Sequence, residues 1–210
     1  MGGHAAGEVA SGLIVDTIAS KALAELMLPQ VQAARPVLSD WLRIAVEAAN
    51  TEVFNLRKSA GTDMGSTIVA AAVIGNQAFF THIGDSRIYL VNAKGIKRLT
   101  VDHSLVERLI ATHQITREEA RYHPQRNVIY RTIGDKSKIE LEVTSLTLAI
   151  GDSLLLCSDG LSGMVEDERI CQLVLDASSP QAACEALIEA ANAAGGQDNS
   201  SVVIVKVVEP

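Results

Sequence analysis

Aromatic side chains are scarce in this 210-residue chain: one Trp, three Tyr and three Phe amount to 3%, while hydrophobic residues reach 48%. The core must therefore be built from Ala, Val, Leu and Ile, which suits helices packed on a sheet. Cysteine is also sparse. Cys157, Cys171 and Cys184 are odd in number, lie in apolar segments and show no Cys-x-x-Cys spacing, so a disulfide framework and a zinc ribbon are excluded. Reduced core thiols and a cytoplasmic location are expected. The net charge is -7 and no basic run exceeds Lys97-Arg98, so the electrostatic footprint of a nucleic-acid binder is missing. No apolar stretch approaches the roughly 20 residues that cross a bilayer. The N-terminus lacks a signal-peptide pattern, and Ala6 stands where a myristoylation motif requires Ser or Thr. Nothing resembles a linker, an internal repeat or a low-complexity segment, and the length suits one core, so a single domain over 1-210 is expected.

Periodicity gives the order of elements. Val15, Ile18, Ala22 and Leu26 mark a helix ending before Pro29, and Leu38, Leu42, Ala45, Ala49, Val53 and Leu56 mark a longer one after Pro36, packed beside the first. Four strands follow at 67-74, 78-83, 87-91 and 96-99, separated by turns at Gly75-Asn76 and Asn92-Gly95, and they suggest an antiparallel meander. Charged residues at helical spacing crowd 106-126, which predicts an exposed flap. Strands at 139-146 and 153-157, helices at 167-176 and 180-194, and a strand at 201-208 complete the chain. Runs of strands and runs of helices favour α+β over a Rossmann-type alternation.

Two turns carry the strongest chemical signal. Leu154-Leu155-Leu156-Cys157-Ser158-Asp159-Gly160 and Gly195-Gly196-Gln197-Asp198-Asn199-Ser200-Ser201 each place an Asp beside an apolar strand with no Lys or Arg in the turn. Such a carboxylate is solvated, paired with a base or given a cation. Either Asp taken singly is explained by turn stabilisation. Other chemistries lack their residues: 61-67 is Gly-rich without the Lys-Ser or Lys-Thr of a phosphate loop. His103, His113 and His123 lack His-Glu-x-x-His spacing, and His82 suits a strand core. No Ser, His and Asp set stands in a nucleophile elbow.

Taken together, Gly61-Thr62-Asp63-Met64-Gly65-Ser66-Thr67, His82-Ile83-Gly84-Asp85-Ser86-Arg87, Leu99-Thr100-Val101-Asp102-His103-Ser104 and the two Asp turns resemble the metal-dependent PPM, or phosphatase 2C-like, serine/threonine protein phosphatases of bacterial type. The resemblance implies a four-layer α-β-β-α sandwich of two antiparallel sheets flanked by helices. It implies hydrolysis of phosphoserine and phosphothreonine by metal-activated water, with no side chain as covalent catalyst and Mn²⁺ or Mg²⁺ as cofactor. Two ions about 3.5 to 4 Å apart serve such chemistry, with a weaker third in some members. Asp159 and Asp198 are the implied metal ligands, and Asn199 is implied to brace the Asp198 turn. Asp102 is implied as a third-metal ligand, although it could equally cap the helix that starts near Ser104. Gly84-Asp85-Ser86-Arg87 fits a strand connection, with Arg87 pairing a nearby carboxylate. The partners implied are phosphorylated proteins, substrates of serine/threonine kinases, acted on by a monomer without nucleic acid or membrane. Met1-Gly2-Gly3-His4 resembles the tail of the family's Asp-Gly-Met-Gly-Gly motif, so the domain is expected to lack its N-terminal strands and the bridging Asp. His4 is then not the equivalent of the family's His. This form is expected to be weak or inactive as an enzyme; the alternative is a non-catalytic binding or regulatory module.

Overall fold

The computed structural model describes residues 6-27 and 37-209; the expectations placed on the opening motif with His4, and on the boundaries at Pro29 and Pro36, lie outside them. The described elements are α1 (Gly7–Ala22) with a π-helical extension Leu23–Met27, α2 (Leu38–Ala60), β1 (Ile68–Ile74), β2 (Gln77–Ile83), β3 (Arg87–Asn92), β4 (Gly95–Arg98), α3 (Leu105–Ala111), α4 (Arg117–Tyr122), β5 (Thr144–Thr147), β6 (Ser153–Cys157), α5 (Asp159–Ser162), α6 (Asp167–Asp176), α7 (Pro180–Ala193) and β7 (Val202–Lys206). They fall into two compact units, Met1–Ile83 with Arg131–Leu146, and Gly84–Tyr130 with Thr147–Pro210.

In the first unit α1 and α2 pack together beside an antiparallel sheet of order β1-β2-β5. The buried face of α1 is carried by Ala10 and Ile14, with Ile18, Ala22 and Leu26 packed on the same core at four-residue steps. Val15, assigned to that face from the sequence, lies outside it and is 64% exposed. On α2 the core face is Trp41, Leu42, Ala45, Val46, Ala49 and Val53, close to the predicted stripe. The Trp41 indole N–H finds its partner in Glu25 at 3.0 Å.

The alternation over 139-146 yields a paired strand only at its end, from Thr144. Ile139, Leu141 and Val143 still pack on the first core, and the carbonyl of Glu142 accepts a hydrogen bond from the Thr81 hydroxyl at 2.7 Å. A period of two reports an extended chain with one face buried; it does not require a neighbouring strand.

The expected meander is split. β1 and β2 pair from Ile68↔Ile83 to Ile74↔Gln77, whereas β3 belongs to a second antiparallel sheet of order β4-β3-β6-β7. Gly84-Asp85-Ser86 therefore carries the chain from one sheet into the other rather than closing a hairpin. In the second unit Tyr89, Val91 and Leu155 pack against Ile170 and Val174 of α6 and Leu187 and Ala191 of α7. β6 is buried at all five positions, as its unbroken apolar run suggests for a strand between two neighbours. The flap folds as two short helices. Ser104 caps α3 through a bond from the Glu107 amide, and Thr116 with Glu119 forms a capping box on α4.

Asn50 ties the first unit together. Its side chain accepts from the Gly134 amide at 2.8 Å and donates to the Lys136 carbonyl at 2.9 Å from a position 1% exposed. Gly134 sits at a φ of 87° with Val53 so close that an added Cβ would fall 2.4 Å from its Cγ1. Asn50→Ala is expected to lower stability by about 1-3 kcal/mol, since the buried Gly134 amide loses its partner and the part-buried Lys136 carbonyl loses its own. Urea unfolding checks this, and an unchanged midpoint would show that the bridge contributes nothing.

Candidate active site

β6 and β7 deliver the two Asp turns to one place. The Ser158 amide donates to the Ser201 carbonyl at 3.1 Å, the Ser201 amide donates to the Ser158 hydroxyl at 3.0 Å, and that hydroxyl donates to the Asn199 carbonyl at 3.2 Å. Asp159 opens α5 directly after Ser158, and Gly160 then passes against the second turn. A Cβ on Gly160 would lie 2.4 Å from the Asn199 carbonyl oxygen, so only glycine permits this approach. The Asn199 amide donates to Asp198 Oδ1 at 2.7 Å. The Asn199 main chain thus makes a hydrogen bond on each side of the residue, its carbonyl accepting from Ser158 and its amide donating to Asp198.

The charges explain what such a pairing needs. Burial first, and the nearby charge of Asp198 second, hold the half-buried Asp159 carboxyl above the usual carboxylate range. Asp85 is pushed up to about 6, again by burial first and then by the charge of Asp159. Among the described residues no Lys or Arg forms an ion pair with Asp85, Asp159 or Asp198.

Asp102 is in a different state. It is buried, and Arg87 grips both its oxygens, with Nε at 3.1 Å from each and Nη2 at 2.7 Å from Oδ2. Arg98 Nη1 stands 3.7 Å from the same Oδ2. Arg87 also donates to the Tyr89 hydroxyl at 3.2 Å, which donates in turn to Asp167 at 3.0 Å. The capping alternative for Asp102 is corrected here, because Ser104 supplies the cap of α3. The expected pairing of Arg87 with a carboxylate is found, its partner being the very residue proposed as a third ligand.

Asp85, Asp102 and Asp159 line one cleft of about 650 Å³, walled by Arg87, Arg98, Glu107 and the flap residues Arg117, Arg121 and Arg126. Carboxylate oxygens without basic partners are suitable ligands for a hard divalent cation, which retains several waters and needs few protein donors. Asp159 and Asp198 fit that requirement. Among the described residues no three His, Cys, Asp or Glu side chains stand close enough to cage an ion by themselves. Cys157, buried beside these turns, has its thiol pushed up to about 12 by burial, which removes the thiolate needed for covalent attack.

Sequence reasoning passed over Asp85 and Glu107. Asp85 carries the same signature as Asp159, an apolar strand ending in a carboxylate beside glycine, but the tight connection between two strands was enough to account for it. Glu107 left no signal, being one acid among many in a charged flap, yet it is 8% exposed and holds Arg98 at 3.0 Å and Arg117 at 3.2 Å.

The family pattern described as protein phosphatase 2C matches residues 1-197. The chain belongs to that family. Protein phosphatase PhpP of Streptococcus pneumoniae is 39% identical over 210 residues, covering 100% of this chain and 83% of the relative. The crystal structure of the Mycobacterium tuberculosis serine/threonine phosphatase PstP/Ppp superposes with a TM-score of 0.87 at 36% identity, covering 100% of this chain and 86% of that one. The catalytic domain of PstP in complex with 2 manganese ions gives 0.85 at 34% identity, with coverage of 100% and 85%. These likenesses agree with the α+β class and with two antiparallel sheets accompanied by helices, here as in the protein phosphatase 2C fold.

Two outcomes are expected. Gly160→Ala forces the β6 and β7 turns apart, with a stability loss of about 1-3 kcal/mol and weakened Mn²⁺ binding, since backbone atoms rather than a flexible side chain must move. Thermal melts with Mn²⁺ calorimetry check it; wild-type behaviour in both would mean the turns do not need their close approach. For Asp85, a carboxyl held above its unfolded value opposes folding while ionised and ceases to do so once protonated. In chelator, stability is therefore expected to rise as pH falls through about 6 and to level off near 3.8. Asp85→Asn should stabilise the metal-free protein by about 1-3 kcal/mol at pH 8. That gain should vanish below pH 4, and an equal gain at both pH values would contradict it.

Proposed function

We propose that the chain is a metal-dependent protein phosphatase that hydrolyses phosphoserine and phosphothreonine in proteins, among them substrates of serine/threonine kinases. The observation that carries the reading is the junction of the Asp159 and Asp198 turns at the ends of β6 and β7, within a family match that runs through both compact units. That continuous match also favours taking the two units as parts of one phosphatase domain over 1-210. Three free cysteines support action in a reducing compartment such as the cytoplasm.

In this reading Asp159 and Asp198 hold Mn²⁺ or Mg²⁺, and Asp102 contributes to a further, weaker site once it is released from Arg87. Divalent ions supply a nucleophilic water at neutral pH and offset charge on the phosphoryl oxygens. The chain's own work is positioning. Ser158, Gly160 and the Asn199 main chain hold the two turns together, while the Asp102 and Glu107 ion pairs engage Arg87 and Arg98. No serine, cysteine or histidine is required as a covalent catalyst.

The test is Mn²⁺-dependent phosphate release from a phosphothreonine peptide, read beside Mn²⁺ calorimetry. Asp159→Asn and Asp198→Asn should each lose at least about 100-fold in activity and the bulk of the binding heat, because a carboxylate ligand becomes a neutral amide. Activity and binding retained in either variant would overturn the ligand assignment. Mn²⁺ binding without turnover by the parent chain would favour a binding or regulatory role over catalysis.

A further inference from the structure

His103 holds the connector on which Asp85 stands. Gly84 is buried at a φ of 106°; its amide donates to His103 Nδ1 at 3.1 Å, and its carbonyl accepts from the His103 amide at 2.9 Å. Asp85 follows and lines the cleft. A buried amide left without an acceptor is costly, so this one specifies the ring: Nδ1 offers its lone pair, and the neutral imidazole keeps its proton on Nε2. The same residue closes the root of the flap. Its carbonyl accepts from the Tyr130 amide at 2.9 Å, the His103 and Tyr130 rings lie 5.9 Å apart, and the Leu105 amide donates to the Val128 carbonyl at 2.8 Å. The chain thus leaves for α3 and returns after α4 beside the ring that also holds Gly84.

We infer that His103 is a positioning residue: through the Gly84 amide, its Nδ1 fastens the Asp85 connector to the root of the flap and so sets the Asp85 carboxylate in the cleft. Its bearing on turnover rests on the phosphatase reading proposed above. A cleft lined by charge of one sign concentrates counterions, and Asp85 carries its negative charge close enough to Asp159 for each to act on the other. With the connector loosened, that charge is no longer held beside Asp159, and more Mn²⁺ is needed for the same occupancy. Neither His103 nor Asp85 has to be a ligand for this to hold.

Two substitutions separate the acceptor from the ring. His103→Asn places Oδ1 near the position of Nδ1, keeping an acceptor for Gly84 but losing the ring against Tyr130; His103→Phe keeps the ring and loses the acceptor. In the metal-free 210-residue chain at about pH 8, where an ordinary histidine is neutral, NMR of the ring nitrogens should show His103 with Nδ1 unprotonated. Gly84 amide exchange should be about 10-fold faster in His103→Phe than in the parent or in His103→Asn, the scale of one lost hydrogen bond. In Mn²⁺-dependent hydrolysis of a phosphothreonine peptide, His103→Phe should raise the Mn²⁺ concentration for half-maximal rate by about 3- to 10-fold, the scale of one charge contact in a partly enclosed site. Its kcat at saturating Mn²⁺ should be little changed, and His103→Asn should stay near the parent in both. A ring that only packs against Tyr130 predicts the reverse order of the two variants. That order, or a proton on Nδ1 in the parent, would overturn the inference. Should His103→Phe fail to fold, the parent's tautomer and the Gly84 exchange rate in His103→Asn decide it. A parent without Mn²⁺-dependent turnover would remove the phosphatase reading and the effect on turnover with it, while tautomer and exchange would still decide whether His103 holds the Asp85 connector.

Discussion

A carbonyl oxygen of Asn199 occupies the place where a side chain on Gly160 would be. That contact lets the ends of β6 and β7 close on each other, and everything chemical in the second unit is arranged around it. The hydrogen bonds among Ser158, Asn199 and Ser201 are ordinary in length. What is unusual is that they bring together two turns that each present a carboxylate, with no ion pair to either among the described residues. Sheet pairing supplies the free energy. β6 is fully buried and bonded to strands on both sides, so the register of its neighbours fixes where Asp159 and Asp198 emerge.

Charge is sorted within the cleft rather than averaged. Arg87, Arg98 and Arg117 are near enough to line the same space as Asp85 and Asp159, yet their guanidinium groups are committed to Asp102 and Glu107. Arginine suits this duty because its planar fork grips both oxygens of a carboxylate and stays charged when buried. The consequence is a division into neutralised acids, which build the walls, and acids left without a base, which oppose folding through desolvation and mutual repulsion. A fold carries such groups when a cation offsets them. The raised Asp85 and Asp159 carboxyls are the electrostatic record of that cost.

Much of this was legible in the residues, and the failures have physical causes. The α2 stripe, the β6 run and the flap were readable because each depends on local periodicity. Asp159 and Asp198 stood out because a glycine-flanked carboxylate beside an apolar strand has few explanations. Val15 was misplaced on α1 because apolar residues occur on both sides of that helix, and only the packing of Ala10, Ile14 and Ile18 settles which side is buried. The split of the meander was hidden because strand alternation says nothing about which sheet a strand joins. Asp85 and Glu107 were missed for a related reason: their surroundings depend on which carboxylate each neighbouring arginine pairs with, and Arg87 turns to Asp102 rather than to Asp85.

The function reading gains from a point of physics that holds apart from likeness to relatives. Hydrolysis of a phosphate monoester needs a nucleophilic water and positive charge opposite the phosphoryl oxygens. This chain withholds its arginines from the carboxylates most able to gather divalent ions. Had Arg87 or Arg98 paired with Asp159 instead of Asp102, the same composition would have produced a closed salt bridge and no place for a cation. The three residues between Arg98 and Asp102 set that outcome, since they return the chain from β4 so that Asp102 meets both guanidinium groups. The ion pair at Asp102 therefore does more than join β3 to the loop after β4: by engaging Arg87 and Arg98, it leaves Asp159 and Asp198 without an ion pair to either.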